Sequence, residues 1–312
     1  MNTRQGTIHL FRFAGIDLFL HWSWFLVAAI EISDRAKAYS SFSWNVFEYL
    51  ALFLIVMLHE FGHALACRQV GGTANRILLW PMGGVAYVNP PARPGATLWS
   101  IAAGPLVNVA LVPLLYTLIA FDRSLGWPAS MPDVHLLLRS VWYINIGLLL
   151  FNLLPIYPLD GGQILRSLLW FVMGRARSLM ASTILGFLGV IAIILLALRE
   201  QSPWLGAIAV FISIYCWRGL KSALALHRLA KAPGRQGFAC PSCKSAPPIG
   251  NYWGCSNCKK AFDTFENQAI CPNCARQFHE TTCVNCGGRF PLSQWTPNAP
   301  VLPEMVPQST VN

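Results

Sequence analysis

The chain has 312 residues, 54% of them hydrophobic and only 12% charged, with a formal charge of +10. A soluble domain carries about twice that share of charge. Composition therefore excludes an ordinary soluble globular protein and points to the membrane.

Six stretches approach the ~20 apolar residues that cross a bilayer. In chain order they run from Ile16 to Ile32, Val46 to Cys67, Leu98 to Phe121, Val134 to Leu154, Ser178 to Leu198 and Trp204 to Ala223. Residues 1–15 lack a compact apolar core followed by a small-residue cleavage site, so the first stretch is expected to be a retained span, not a secretory signal. His21, beside Trp22 and Trp24, reads as an interfacial residue. Cys67 and Cys216 have no CxxC partner and read as small core residues.

Charge sets the orientation. With a cytoplasmic N-terminus, the inner segments hold Arg4, Arg12, Arg68, Arg76, Arg93, Arg166, Arg175, Arg177 and the basic run from Arg218 to Arg235. Setting aside Arg139 near the start of the fourth stretch, the outer loops hold only Arg35, Lys37, Arg123 and Arg199. The bias predicts six spans with both termini cytoplasmic. The basic excess is thus a topology signal, and nucleic acid is not an expected partner.

Chemistry enters in the second stretch. The apolar run Leu52 to Leu58 leads into His59-Glu60-Phe61-Gly62-His63. Histidines at i and i+4 share one helix face and can bind one zinc ion, with Glu60 between them placed to take a proton from water. A five-residue match alone occurs by chance, but ionisable groups within an apolar span are costly and mark function. A third ligand is needed, and the best candidate is Asp160, in Asn152-Leu153-Leu154-Pro155-Ile156-Tyr157-Pro158-Leu159-Asp160-Gly161-Gly162. The prolines end the fourth span, which places Asp160 at its inner end. Between the second and third spans, Ile77 to Val88 is rich in strand formers and broken by Gly83-Gly84, the signature of a β-hairpin.

These motifs together resemble the site-2 protease family of intramembrane zinc metalloproteases. The resemblance rests on His59 to His63, on the segment Asn152 to Gly161, and on Ala103-Gly104-Pro105-Leu106-Val107-Asn108. It implies His59, His63 and Asp160 as zinc ligands and Glu60 as the catalytic base. It implies that Asn152 positions substrate or stabilises the oxyanion; the alternative, read from the residues alone, is a helix-end residue satisfying freed carbonyls. Asn108 reads as a helix–helix contact, and Gly104 as a point of close helix approach. The resemblance also implies that the hairpin region pairs with an unwound substrate. Nothing in the tail resembles a nucleotide-binding pair of CBS domains.

The tail carries four CxxC units: Cys240/Cys243, Cys255/Cys258, Cys271/Cys274 and Cys283/Cys286. Paired knuckles of this kind suit tetrahedral Cys₄ zinc and resemble a double zinc ribbon. Chain order suggests that the first two knuckles share one zinc and the last two a second. A cytoplasmic tail disfavours disulfides, and so small a module needs metal to fold. Its lysines and arginines are too sparse for a nucleic-acid stripe, so a cytoplasmic protein partner or control of substrate access is the expected role.

The sequence thus predicts a mainly α fold: a polytopic membrane bundle of about six spans with a short β-hairpin, plus a small cysteine-rich zinc-ribbon domain. The expected domains are the membrane metalloprotease over residues 1–230, a linker over 231–237, the double ribbon over 238–290 and a disordered tail over 291–312. The expected function is an intramembrane zinc metalloendopeptidase acting on transmembrane segments of membrane-tethered regulatory proteins. One catalytic and two structural zinc ions, surrounding membrane lipid and a bacterial inner-membrane location complete the expectation. The competing class is a non-proteolytic zinc-dependent membrane scaffold or a metal transporter.

Overall fold

A computed structural model describes residues 6–35, 37–80 and 83–295. The chain divides into two compact units, Met1–His227 and Arg228–Asn312.

The first unit opens with strands β1 (Thr7–Phe13) and β2 (Ile16–His21), helix α1 (Ser23–Asp34) and helix α2 (Phe42–Gln69). Strands β3 (Thr73–Trp80) and β4 (Gly83–Asn89) follow, then helices α3 (Pro94–Ser124), α4 (Trp127–Ser130), α5 (Pro132–Leu153), α6 (Asp160–Arg199) and α7 (Pro203–Lys231). Among the described residues, five helices are long and apolar enough to cross a membrane: α2, α3, α5, α6 and α7. Phe25, Ile30, Leu150, Leu188 and Leu195 are all more than half exposed. Apolar side chains exposed in this way suit contact with lipid.

The first expected span is not one helix. Ile16 to His21 is strand β2, and α1 has only 12 residues. At 1.5 Å per residue it is about 18 Å long, short of the ~30 Å hydrocarbon core. The segment Ile16-Asp17-Leu18-Phe19-Leu20 alternates in burial, with Ile16, Leu18 and Leu20 inward. That period of two was hidden inside an apolar run.

The expected hairpin is β3–β4, the antiparallel end of a four-stranded sheet ordered β1-β2-β3-β4. Strand β2 pairs in parallel with β3, Leu18 opposite Ile77 and Leu20 opposite Leu79. The chain therefore leaves the sheet at His21 and returns to it at Thr73 after passing through α1 and α2. Ile16, Leu18, Ile77 and Leu79 are fully buried and pack with Val56, Phe61, Ala64 and Cys67 of α2. This packing seats the sheet against the helix that carries His59 and His63. Beyond α1, Arg35 Nε lies 3.0 Å from Glu48 Oε1, and the Tyr39 hydroxyl donates to Glu48 as well.

Helix α6 is broken at Gly174, whose φ of 80° and ψ of 169° are not helical. Glycine alone adopts that backbone readily. Phe171, just before the break, reaches Gly95 in the first turn of α3.

The second unit contains two two-stranded hairpins, β5–β6 (Trp253–Gly254 with Ala261–Phe262) and β7–β8 (Thr281–Thr282 with Arg289–Phe290). Cys240, Trp253, Phe262, Phe265 and Trp295 fill its core. Its limits exceed the expected 238–290. Ile249 N–H donates to the Pro233 carbonyl at 3.0 Å and Arg235 N–H to the Pro247 carbonyl at 2.8 Å. Arg235 also pairs with the fully buried Asp263 at 2.6 Å. At the other end Trp295 is 1% exposed. Of the tail expected to be disordered, residues 296–312 lie outside the described residues.

Candidate metal centre

Helix α2 presents His59 and His63 one turn apart, and both are 5% exposed. Asp160 comes from the first turn of α6, after the irregular segment 154–159 that follows α5. The aspartate thus heads the next helix instead of ending the fourth span. The three residues meet: His59 Nε2 is 3.0 Å from Asp160 Oδ2, His63 Nε2 is 3.3 Å from the same oxygen, and the two Nε2 atoms are 3.1 Å apart.

The other ring nitrogens fix what these atoms offer. His63 Nδ1 donates to the Ser100 carbonyl at 2.9 Å, and His59 Nδ1 donates to Asn108 Oδ1 at 2.5 Å. With protons on both Nδ1 atoms, both Nε2 atoms carry lone pairs. Two lone pairs and a carboxylate oxygen converging within 3.3 Å repel one another unless a cation lies among them. Bonds of ~2.0–2.1 Å at tetrahedral angles separate donors by about 3.3 Å. The His₂Asp set therefore fits zinc, with one position left open. Gly104 makes the room: a Cβ there would overlap His63 Nε2 and lie 2.8 Å from His59 Nε2.

Glu60, 6% exposed, points to the sheet. Its Oε2 accepts the Ala86 N–H of β4 at 2.8 Å. Gly84, also on β4, leaves the space the Glu60 side chain occupies, since a Cβ there would overlap its Cγ and Cδ. Asn152 lies in the last turn of α5, and its side chain makes no hydrogen bond among the described residues. Asn145, two turns before it, was not singled out in the sequence. It is fully buried and bonded to Asn108. An isolated asparagine in an apolar run carries no motif, and only its cost within a span could have flagged it.

All eight tail cysteines are free thiols gathered in two groups, but the pairing differs from chain order. Cys240 and Cys243 join Cys283 and Cys286, while Cys255 and Cys258 join Cys271 and Cys274. Within each group, Sγ–Sγ separations between its two knuckles are 3.6–3.7 Å. That is far beyond a ~2.05 Å disulfide and close to the ~3.8 Å expected of two thiolates on one zinc. The four knuckles close alike: Cys240, Cys255, Cys271 and Cys283 donate their N–H groups to the carbonyls of Ser245, Lys260, Arg276 and Gly288 at 2.7–2.9 Å. Identical turns give sequence no basis for choosing partners. Loop length discriminates weakly. The nested pairing closes loops of 12 and 39 residues against 11 and 8 for pairing in order, a difference of about 1–2 kcal/mol.

Comparison with known proteins agrees with this geometry. The family model for peptidase family M50 matches residues 47–124 and 129–196. A zinc metalloprotease of Methanocaldococcus jannaschii is 32% identical over 208 residues, covering 66% of this chain and 58% of that protein. Stage IV sporulation protein FB of Bacillus subtilis is 34% identical over 120 residues, 37% of this chain and 38% of that protein. The chain thus spans roughly half the length of the curated relatives it matches. The solved site-2 protease of Methanocaldococcus jannaschii aligns with a TM-score of 0.50 and 26% identity, covering 69% of this chain and 95% of that one. The chain is an integral membrane protein, and its membrane unit belongs to peptidase family M50, the site-2 protease family.

Proposed function

We propose that the chain is an intramembrane zinc metalloendopeptidase that cleaves a transmembrane segment of another protein. The observation that carries this reading is the convergence of His59, His63 and Asp160 beside Glu60, on helices apolar enough to lie in a bilayer. His59, His63 and Asp160 would hold zinc. Zinc so held supplies Lewis-acid chemistry, polarising a carbonyl and making water a stronger acid. Glu60 accepts the proton of the attacking water and later passes it to the leaving amine. The Ala86 N–H holds the carboxylate in place for both transfers. Asn152 is the candidate for binding the substrate backbone.

Strand β4 ends the sheet and runs past Glu60, so an unwound substrate can add to it as a further strand. The substrate class is a membrane-tethered regulatory protein. The pairing of β2 with β3 makes α1 and α2 a round trip from the sheet, which keeps the arginine asymmetry and favours both termini on the cytoplasmic side. A bacterial inner membrane is the proposed location. The second unit would hold two structural zinc ions in closed sites and recruit a protein partner.

The test is purified full-length chain in detergent acting on a labelled, unstructured protein. Chelator-sensitive cleavage lost in Glu60→Gln supports the reading. Cleavage of equal rate in both forms contradicts it.

A further inference from the structure

We infer that Asn145 is a positioning residue for the metal centre, acting through Asn108 on the imidazole of His59. The inference rests on the reading of His59, His63 and Asp160 as a metal site.

An imidazole that offers Nε2 to a metal must keep its proton on Nδ1, and that proton needs an acceptor. For His63 the acceptor is the Ser100 carbonyl, a group that can only accept. For His59 it is a side-chain amide, Asn108. An amide is two-faced: turned over, it would present Nδ2 to His59 Nδ1 and hold the proton on Nε2, where no metal could bind.

Asn145 settles the direction. Its Nδ2 donates to the Asn108 backbone carbonyl at 3.0 Å, and its Oδ1 accepts from Asn108 Nδ2 at 2.8 Å. Because the carbonyl can only accept, Asn145 must turn its Nδ2 toward it. Its Oδ1 then faces Asn108 Nδ2, and Asn108 Oδ1 is left for His59. One backbone carbonyl thereby orients two amides and one tautomer across α5, α3 and α2. Asn108 and Asn145 are 0% exposed and His59 5%, so water does not compete for these bonds.

The experiment measures zinc retained by the full-length chain across a chelator series, together with thermal unfolding. Asn145→Leu should weaken the catalytic-site zinc by about 10–100-fold, with the ribbon zinc unchanged. Asn145→Asp keeps an acceptor facing Asn108 Nδ2 but loses the donor to the Asn108 carbonyl, so its zinc affinity should lie between those of wild type and Asn145→Leu. In an Asn108→Asp background, where either oxygen accepts the His59 proton, Asn145→Leu should have no further effect on zinc. The relay is wrong if Asn145→Leu lowers the unfolding temperature but leaves zinc affinity unchanged, or if Asn108→Asp does not remove its effect on zinc. If His59→Ala itself removes no zinc, the metal-site reading has failed instead.

Discussion

Glu60 of α2 is tied to Ala86 of β4: its carboxylate accepts the strand's N–H at 2.8 Å, within one helical turn of both metal-facing histidines. The sheet therefore does more than cover the bundle. It fixes the group that moves protons in the proposed reaction, and it does so from the strand on which a substrate would pair.

Gly84→Ala tests that arrangement. The added Cβ would occupy the space of the Glu60 side chain and force it away from Ala86. Cleavage should fall by roughly 10²-fold, the scale of a 1 Å misplacement of a catalytic group. Zinc content should not change. Loss of zinc in this variant would show that the sheet supports the metal ligands and not Glu60.

Gly104→Ala should do the reverse. Its Cβ would overlap His63 Nε2 and crowd His59 Nε2, so the ligands must move apart. The catalytic zinc should bind at least about tenfold more weakly, as expected of a disturbed ligand shell. Chelator titration of the full chain reads this directly, and unaltered affinity would contradict the geometry of the centre.

The nested ribbon pairing is tested by counting zinc. Cys240→Ser with Cys283→Ser removes two ligands of one group and should cost one zinc per chain, whereas Cys240→Ser with Cys255→Ser disrupts both groups and should cost two. Pairing in chain order predicts the opposite result.

Tyr39 lies in the connection between α1 and α2, outside the membrane-spanning helices. Burial, then the hydrogen bond to Glu48, push its phenol up to about 12. A group raised in the folded state contributes stability below its unfolded value of ~10, and that contribution is lost as pH rises through about 12. Wild type should lose stability over this alkaline window more steeply than Tyr39→Phe. Parallel pH curves for the two would contradict the burial of this residue.

The chemistry was legible because it is local. The spacing of His59, Glu60 and His63 needs only a helix to place both imidazoles on one face, and the proline and glycine run around Asp160 marks a break in an apolar span. The helices were legible for the same reason, since length and hydropathy suffice. What sequence hid depends on distant partners. The strand Ile16–His21 is apolar enough to pass for part of a span, and only its pairing with β1 and β3 reveals it. Four equivalent knuckles do not state which pairs come together. Pro233, Arg235 and Trp295 look like linker or tail until their partners in the ribbon core are known. Asn145 matters through Asn108, a relation that spans 37 positions in the chain.

The most direct test of the account compares the membrane proteomes of cells carrying the wild-type chain and Glu60→Gln. The proposed mechanism predicts fragments whose new termini lie within transmembrane segments in wild type, and accumulation of their uncut precursors with Glu60→Gln. The same fragments at the same abundance in both strains would contradict it.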